Sequence, residues 1–373
     1  MRKKKVFIYI HQCVLKGGVE KVFFNLLNNL PADKYAITVL SHMAYLTDDV
    51  HAGLYPKNVK RRWLYYDEFA PKGIKRFIQR AHNFLMPKIY PALLKIRHYD
   101  TAIAAQGGMY AKFIDECVRA DKKLLWIHND MTQCGWTVKH FGTRQQEGNC
   151  YRRFHKVVCV SREVERSMET VFGTMRNLHV CYNPIDTVEI NRKLSQPLPQ
   201  RSEAPLFVAV GRLAEQKGFD RLMRICHRLN QRGYIYNVWI VGEGEKRAEL
   251  EAQLRQLGLS NVCLLGNQEN PFAYMAVADW LICTSRHEGF NMVLHEAVWC
   301  GTPIITTDNA GTRELLGDSE FGIVTKNEEK AFYDAMCCAL EDPALQCRYR
   351  ERVEQRRGFI DLGGRIAAIE KIL

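Results

Sequence analysis

Two glutamates stand eight residues apart in Glu288-Gly289-Phe290-Asn291-Met292-Val293-Leu294-His295-Glu296. Ala297, Val298, Trp299 and Cys300 follow, then Gly301 and Pro303 as a stop, which predicts a helix beginning near Asn291. Glu288 then falls in the loop before the helix and Glu296 more than a turn inside it. The first-turn amides of Asn291, Met292 and Val293 face one space at the positive helix end, which suits an anion. Amides for phosphate and carboxylates for hydroxyls describe a site for a hydroxyl-rich ligand that carries phosphates. By itself such a pair of carboxylates is ordinary solvated surface, so the rest of the chain must supply its partners.

Several loops offer them. Gly211-Arg212-Leu213-Ala214-Glu215-Gln216-Lys217-Gly218 follows an apolar run directly, and Arg212 with Lys217 can neutralise a diphosphate there. Gly242-Glu243-Gly244-Glu245 ends the next run with glycines that permit close backbone approach, or a plain turn. Gly266-Asn267 ends the third in the same way. Near the start, Lys16-Gly17-Gly18-Val19-Glu20 joins the first apolar run to the first helix, where paired glycines give a ligand access to a helix N-terminus. His128 stands at the rim of Trp126-Ile127-His128-Asn129-Asp130, either a structural residue or a reactive one.

The elements that must position these residues alternate. Val6–Ile10, Ala36–Leu40, Thr101–Ala105, Lys123–Ile127 and Lys156–Val160 read as strands, Val19–Leu30 as a helix, and Ser161 as the N-cap of a helix over Arg162–Phe172. Val180-Cys181-Tyr182 precedes a break at Asn183-Pro184-Ile185-Asp186. Residues 187–205 are polar and proline-bearing, the composition of an interdomain linker. Strands at Leu206–Val210, Asn237–Val241, Val262–Leu265, Trp280–Cys283 and Pro303–Thr306 then alternate with helices at Phe219–Gln231, Lys246–Leu257 and Pro271–Val277, and Gly322-Ile323-Val324 closes the series. The expected fold class is α/β, with two doubly wound parallel sheets. Ligands of such sheets bind at the carboxyl ends of strands, where all the loops above lie.

The order G-G-x-E, G-R-L…K-G, G-x-G-E and E-G-F-x-x-V-L-x-E-A…C-G-x-P resembles the retaining nucleotide-sugar glycosyltransferases of family 4, whose fold is GT-B, two Rossmann-like domains facing across a cleft. The resemblance is strongest over Leu206–Val324 and looser over residues 6–186. It implies an acceptor-binding domain over 1–186, a donor-binding domain over 187–350, and a C-terminal helix in 351–373 crossing back to the first domain. By the same likeness Arg212 and Lys217 bind the diphosphate and stabilise the leaving group, Glu288 contacts the transferred sugar, and His128 faces the reacting centre. Glu296 holds the ribose hydroxyls, Gly289 joins the donor-binding set, and the amides of Phe290, Asn291, Met292 and Val293 face phosphate and sugar. Gly17, Gly18, Gly211, Gly242, Gly266 and Asn267 complete the donor-binding set. Two positions depart from the pattern. The hinge carries Asn-Pro-Ile-Asp where Asn-Gly-Ile-Asp is common, and His295 replaces a commonly apolar residue. No D-x-D occurs in the chain, which disfavours the metal-dependent architecture for sugar transfer, so no metal and no cofactor are expected.

Composition sets the surroundings. With 373 residues, 47% hydrophobic and 25% charged, the chain fits about two globular domains. Thirteen cysteines, without a C-x-x-C pair, indicate a reducing compartment, hence a cytoplasmic protein. Several (Cys159, Cys226, Cys263, Cys283) lie in apolar contexts that suggest burial. The net charge of +12 is uneven, and residues 57–98 alone carry +9 among aromatic and aliphatic side chains. That mixture fits an anionic membrane surface at which the protein sits peripherally, with nucleic acid and a plain solvated face as the competing readings. The expected partners are a nucleotide-sugar donor, probed first as a UDP-sugar, a glycan or lipid-linked acceptor, and that membrane surface, without nucleic acid. The expected function is sugar transfer in cell-surface polysaccharide biosynthesis. A UDP-sugar epimerase or hydrolase of the same architecture and a basic nucleic-acid-binding protein are the alternatives.

Overall fold

The computed structural model describes residues 2–12, 17–44, 55–66 and 74–373. Lys16, from the first glycine loop, and Asp67, Glu68, Phe69 and Lys72, from the basic segment, lie outside the described residues. The chain forms two compact units, residues 1–184 with 363–373, and residues 185–362.

The first unit carries strands β1 (Lys4–Ile10), β2 (Tyr35–Ala44), β3 (Val59–Tyr66), β4 (His98–Ala104), β5 (Arg119–Ile127), β6 (Lys156–Cys159) and β7 (Leu178–Val180). They form one sheet in the order β3-β2-β1-β4-β5-β6-β7, with parallel pairing throughout. Its helices are α1 (Gly18–Asn29), α2 (Ile74–Ile96), α3 (Met109–Cys117), α4 (Arg144–Arg152) and α5 (Arg162–Phe172). The strands are apolar on both faces, as a parallel sheet covered by helices requires: Val6 to Ile10 are all buried. Ser161 caps α5 by accepting from the Val164 amide at 3.1 Å.

The second unit repeats the plan with β8 (Leu206–Val210), β9 (Asn237–Val241), β10 (Val262–Gly266), β11 (Trp280–Cys283), β12 (Ile304–Thr307) and β13 (Ile323–Thr325), parallel in the order β10-β9-β8-β11-β12-β13. Its helices are α6 (Thr187–Leu194), α7 (Phe219–Gln231), α8 (Arg247–Leu257), α9 (Pro271–Val277), α10 (Met292–Cys300), α11 (Thr312–Leu316), α12 (Glu329–Glu341) and α13 (Pro343–Arg356). Phe207, Leu222, Met223, Ile240, Trp280 and Met336 build its main core. In each sheet the strand order reverses once, between β1 and β4 and between β8 and β11, and a ligand crevice opens at such a switch point.

Two expectations need correction. Residues 187–205 are not all linker, because Asp186 caps α6 through the Glu189 amide, Thr187 and Ile190 are buried, and Lys193 donates to the Glu269 carbonyl at 2.7 Å. A polar stretch with an N-cap and a buried stripe folds as a helix once a neighbour covers the stripe. Cys263 is exposed while Cys159, Cys226 and Cys283 are buried. It lies on β10, an edge strand with one side uncovered.

The last helix, α14 (Leu362–Ile372), packs on the first unit, with Ile366, Ile369 and Ile372 buried. Buried Thr101 of β4 donates to the Leu373 carbonyl at 2.7 Å, and Tyr35 donates to Glu370 at 3.2 Å. Buried Arg365 donates to the Asn183 carbonyl at 2.8 Å, and Asn25 of α1 donates to the Pro184 carbonyl at 3.2 Å. The stretch before the chain leaves the unit is therefore held by two side chains. Arg365→Ala should lower stability by about 2 kcal/mol, the worth of a charged hydrogen bond to a buried carbonyl. An unchanged urea midpoint would show the arginine to be idle.

Candidate active site

The centre of the second unit is an ion pair. Lys217, in the loop after β8, places Nζ 2.6 Å from Oε1 of Glu288, in the loop after β11. The two loops are neighbours because β8 and β11 pair across the switch point. Burial works to lower the Lys217 pKa, but the Glu288 carboxylate outweighs it and holds the ammonium above its ordinary value, while the charge of Arg212 pulls the other way. Arg212 is exposed beside this pair and makes no side-chain hydrogen bond or ion pair among the described residues. The Lys217 ammonium thus has one carboxylate partner and feels the charge of a second cation.

The loops are zipped together. Thr284 Oγ1 donates to the Lys217 carbonyl at 3.0 Å, the Arg286 amide donates to the Gln216 carbonyl at 2.7 Å, and Gln216 Nε2 donates to the His287 carbonyl at 2.8 Å. Arg286 grips Asp220 through both guanidinium nitrogens at 2.8 and 2.7 Å. Burial pushes the Asp220 carboxyl up, yet Arg286 and Arg224 overcome it and hold its pKa near 2. Gly218 turns with φ 67°, and a β-carbon there would strike the Thr284 carbonyl oxygen, so the turn that presents Lys217 excludes side chains.

Residues the sequence did not single out hold Glu288 in place. Buried Ser285 donates from Oγ to Glu288 Oε1 at 2.7 Å, the same oxygen that Lys217 holds. The Ser285 carbonyl accepts from Arg221 Nη2 at 2.7 Å, Thr307 Oγ1 at 2.7 Å and Asn309 Nδ2 at 3.0 Å. Arg221 is itself buried and also donates to the Thr284 carbonyl from Nε at 2.8 Å. Three donors on one carbonyl leave the strand end little freedom. A Thr-Ser pair ending a buried strand was the only local signal.

The predicted helix starts where expected, with Asn291 as N-cap and Met292 and Val293 as its first residues. Asn291 is buried, and its side chain donates to Cys283 Sγ at 3.0 Å rather than capping the helix. The helix end thus keeps first-turn amides without intrahelical acceptors. The His295 ring stacks on Phe290 (centroids 4.1 Å, 21°) and its Nδ1 lies 3.0 Å from the Asn291 carbonyl. That gives the unusual histidine a structural task, bracing the loop against the helix. Glu296 sits in the second turn and is 2% exposed, and Gly289 is buried in the loop before.

The glycines divide by role. A β-carbon on Gly211 would press on the aliphatic stem of Lys217, at 3.3 Å from Cε. At Gly242 (φ 145°) it would strike the Gly211 carbonyl oxygen. The close approach expected of Gly242 is thus made to the neighbouring loop, which is laced to it by the bonds Gly211 N to Val241 O (3.0 Å) and Leu213 N to Glu243 O (2.9 Å). Gly266 closes β10 at φ 72° and its carbonyl accepts from the Gly242 amide at 2.8 Å, while Asn267 is exposed just beyond. A cavity of about 250 Å³ lined by Glu215, Phe219, Asp220, Lys246 and Arg286 lies beside the Arg212–Gly218 loop and contains none of the predicted site residues.

Gly17, Gly18 and His128 belong to the first unit. Gly17 is the N-cap of α1, and a β-carbon on Gly18 would meet nothing within 4 Å. His128 follows β5, with its Nε2 sheltered from solvent and unpartnered among the described residues. Desolvation lowers its pKa to about 4, against a hydrogen bond with the Ala105 backbone that acts to raise it. The imidazole is therefore neutral near pH 7. His42 is likewise lowered to about 4, by burial and then by the charge of His11.

Two α/β units with parallel sheets and a cation–carboxylate pair at a switch point define the GT-B class. Residues 16–189 match the model for Glycosyltransferase Family 4 and residues 191–356 the model for glycosyl transferases group 1. The chain belongs to family 4 of the GT-B glycosyltransferases. It is 32% identical over 189 residues to N-acetylgalactosamine-N,N'-diacetylbacillosaminyl-diphospho-undecaprenol 4-alpha-N-acetylgalactosaminyltransferase of Campylobacter jejuni, a match that covers 50% of each chain. It is 27% identical over 204 residues to the lipopolysaccharide core biosynthesis glycosyltransferase LpsE of Rhizobium meliloti, covering 54% of this chain and 58% of the relative. These matches span only about half of the relatives' lengths. Among solved structures, HepE of Anabaena in complex with UDP and glucose shares the fold at TM-score 0.76 and 16% identity, with 98% of both chains covered.

Two outcomes follow from this geometry. Ser285→Ala removes one of the two donors on Glu288 Oε1, and turnover should fall by about tenfold or more, since misplaced catalytic groups are costly. A kcat equal to wild type would mean that Lys217 alone positions Glu288. For His42 and His128, the unfolded chain binds protons near the ordinary value of 6.5 while the folded chain resists them until about 4. Their contribution to stability is complete above 6.5 and is lost as pH falls through that window, by at most about 1.4 kcal/mol per pH unit for each histidine. His42→Gln should flatten the fall in urea midpoint between neutral and mildly acidic pH, and an unchanged slope would overturn the assignment.

Proposed function

We propose that this chain transfers a sugar with retention from a nucleotide-diphosphate donor, taken as a UDP-sugar, to a glycan or lipid-linked acceptor in the assembly of a cell-surface polysaccharide. The observation that carries the reading is the Lys217–Glu288 pair at the switch point, held by Ser285 and flanked by exposed Arg212. Breaking the bond between sugar and diphosphate leaves negative charge on the β-phosphate and a cation-like sugar. Lys217 keeps a raised pKa and so stays charged, and it has further N–H donors besides the one given to Glu288. With Arg212 and the α10 amides it offers the preorganised positive field that such a leaving group needs, without a metal ion. Glu288 is fixed by two donors on one oxygen, which suits a group that orients a sugar hydroxyl better than a free nucleophile. Glu296, in the second turn of α10, is assigned to the ribose hydroxyls. His128, neutral in the working pH range, can exchange a hydrogen bond with the reacting sugar without bringing a charge.

The names of the relatives support the acceptor side: one acts on a diphospho-undecaprenol-linked sugar and another in lipopolysaccharide core biosynthesis. HepE was solved with UDP and glucose, which supports the donor class. No disulfide joins the described cysteines, in keeping with work at the cytoplasmic side of a membrane.

A thermal-shift screen against UDP- and GDP-sugars tests the donor. A ligand at 100 times its Kd should stabilise the second unit by about 2.7 kcal/mol. Glu296→Ala should lose most of that shift, whereas Lys217→Ala should retain much of it and lose turnover by about 10²-fold. Unchanged behaviour of both variants would remove the site assignment. UDP released at the same rate with and without acceptor would identify a hydrolase instead, and conversion of the donor into another UDP-sugar without free UDP an epimerase.

A further inference from the structure

The basic segment that the sequence showed only as a mixture resolves into an edge strand and a helix with an unusual orientation. Asn83 of α2 pairs with Tyr66 at the end of edge strand β3, accepting from its amide at 2.7 Å and donating to its carbonyl at 3.0 Å. His82 Nε2 lies 3.2 Å from the Trp63 carbonyl, and Gln79, Tyr90 and Leu94 are the helix's buried residues. The side of α2 turned toward the protein is therefore polar at Gln79, His82 and Asn83 and apolar only further along, at Tyr90 and Leu94.

The outward side is not. Ile74, Phe77, Phe84 and Ile96 are 80%, 74%, 65% and 77% exposed, and Ile78 and Leu85 lie exposed between them at helical spacing. Of the twelve large hydrophobic side chains found exposed among the described residues, eight lie on this one helix. A helix of a water-soluble protein turns its apolar stripe inward; here a continuous apolar stripe faces outward, and a stripe of this kind marks an interaction surface. The same helix carries Lys75, Arg76, Arg80, Lys88 and Lys95 and no acidic residue. Lys88 folds its ammonium over the Phe84 ring, 3.8 Å from the centroid.

We propose that α2 is a docking helix for an anionic lipid bilayer, lying flat at the interface with its apolar stripe among the acyl chains and its lysines and arginines at headgroup phosphates. Its 23 residues extend about 35 Å, yet no helix among the described residues is apolar enough to cross a bilayer, which leaves the in-plane orientation. Charge decides between occupants. A second copy of the chain would set one row of five cations against another, whereas a surface of phosphatidylglycerol type neutralises them. Nucleic acid would satisfy the cations and leave Phe77, Phe84 and Ile96 in water. The assignment does not depend on the donor-site reading, because α2 belongs to the first unit and lipid binding is measured without turnover.

The test is co-sedimentation of the full chain with phosphatidylglycerol-rich vesicles and with pure phosphatidylcholine vesicles, at low and high salt. Wild type should partition at least about tenfold better onto the anionic vesicles, and salt should weaken the partitioning. Phe77→Ser with Phe84→Ser, and separately Lys75→Glu with Lys88→Glu, should each reduce it by about tenfold or more. These side chains are exposed, so fold and thermal shift with a UDP-sugar should stay as in wild type. Equal partitioning on both vesicle types overturns the proposal. So does a wild-type dimer that either double variant converts to monomer while vesicle binding is absent.

Discussion

A parallel sheet delivers every strand-to-helix connection to the same edge, and this constraint organises the whole site. In the second unit the connections after β8, β9, β10 and β11 emerge side by side. The reversal of strand order makes β8 and β11 neighbours although about seventy residues separate them, so Lys217 can meet Glu288 at 2.6 Å. What holds the pair is mostly backbone. Carbonyls at the end of β11 are taken by Arg221, Thr307 and Asn309, and the two loops exchange main-chain and side-chain bonds.

The electrostatics of this edge run in one direction. A half-buried Lys217 would be costly alone, and the Glu288 carboxylate reverses that cost and keeps the ammonium charged. Arg212 is left exposed beside it, and the start of α10 adds amides without a side-chain cap. Positive charge is thus prepared at one locus while the Glu288 carboxylate is tied by two donors. In the proposed function, that is the pattern that would receive a departing diphosphate. The first unit offers a different chemistry at its corresponding edge, a neutral sheltered histidine and glycines at a helix start.

Much of this was legible along the chain. Strand and helix periodicity placed Phe219–Gln231, Asn237–Val241, Pro271–Val277 and Trp280–Cys283 to the residue, since buried strands are short apolar runs and helices carry their own caps. Other features were hidden for physical reasons. Helix α6 was masked by polar composition, because only a tertiary neighbour reveals its buried stripe. Ser285 and Arg221 look like ordinary polar residues until the fold buries them against carbonyls from another loop. That Gly242 makes room for the Gly211 carbonyl shows only once the two loops lie side by side.

The amino-acid sequence by itself determined the family, the α/β class, the start of α10 and the identity of the charged residues, because local periodicity, caps and motif order are properties of neighbouring residues. The tertiary structure alone decided that Lys217 and Glu288 share one ion pair, that His295 braces Phe290, and that α2 turns its apolar stripe outward. Each of these is a choice of partner among residues distant in the chain or of one face over another. Such choices depend on which strands pair and which surfaces are already covered, and composition is blind to both.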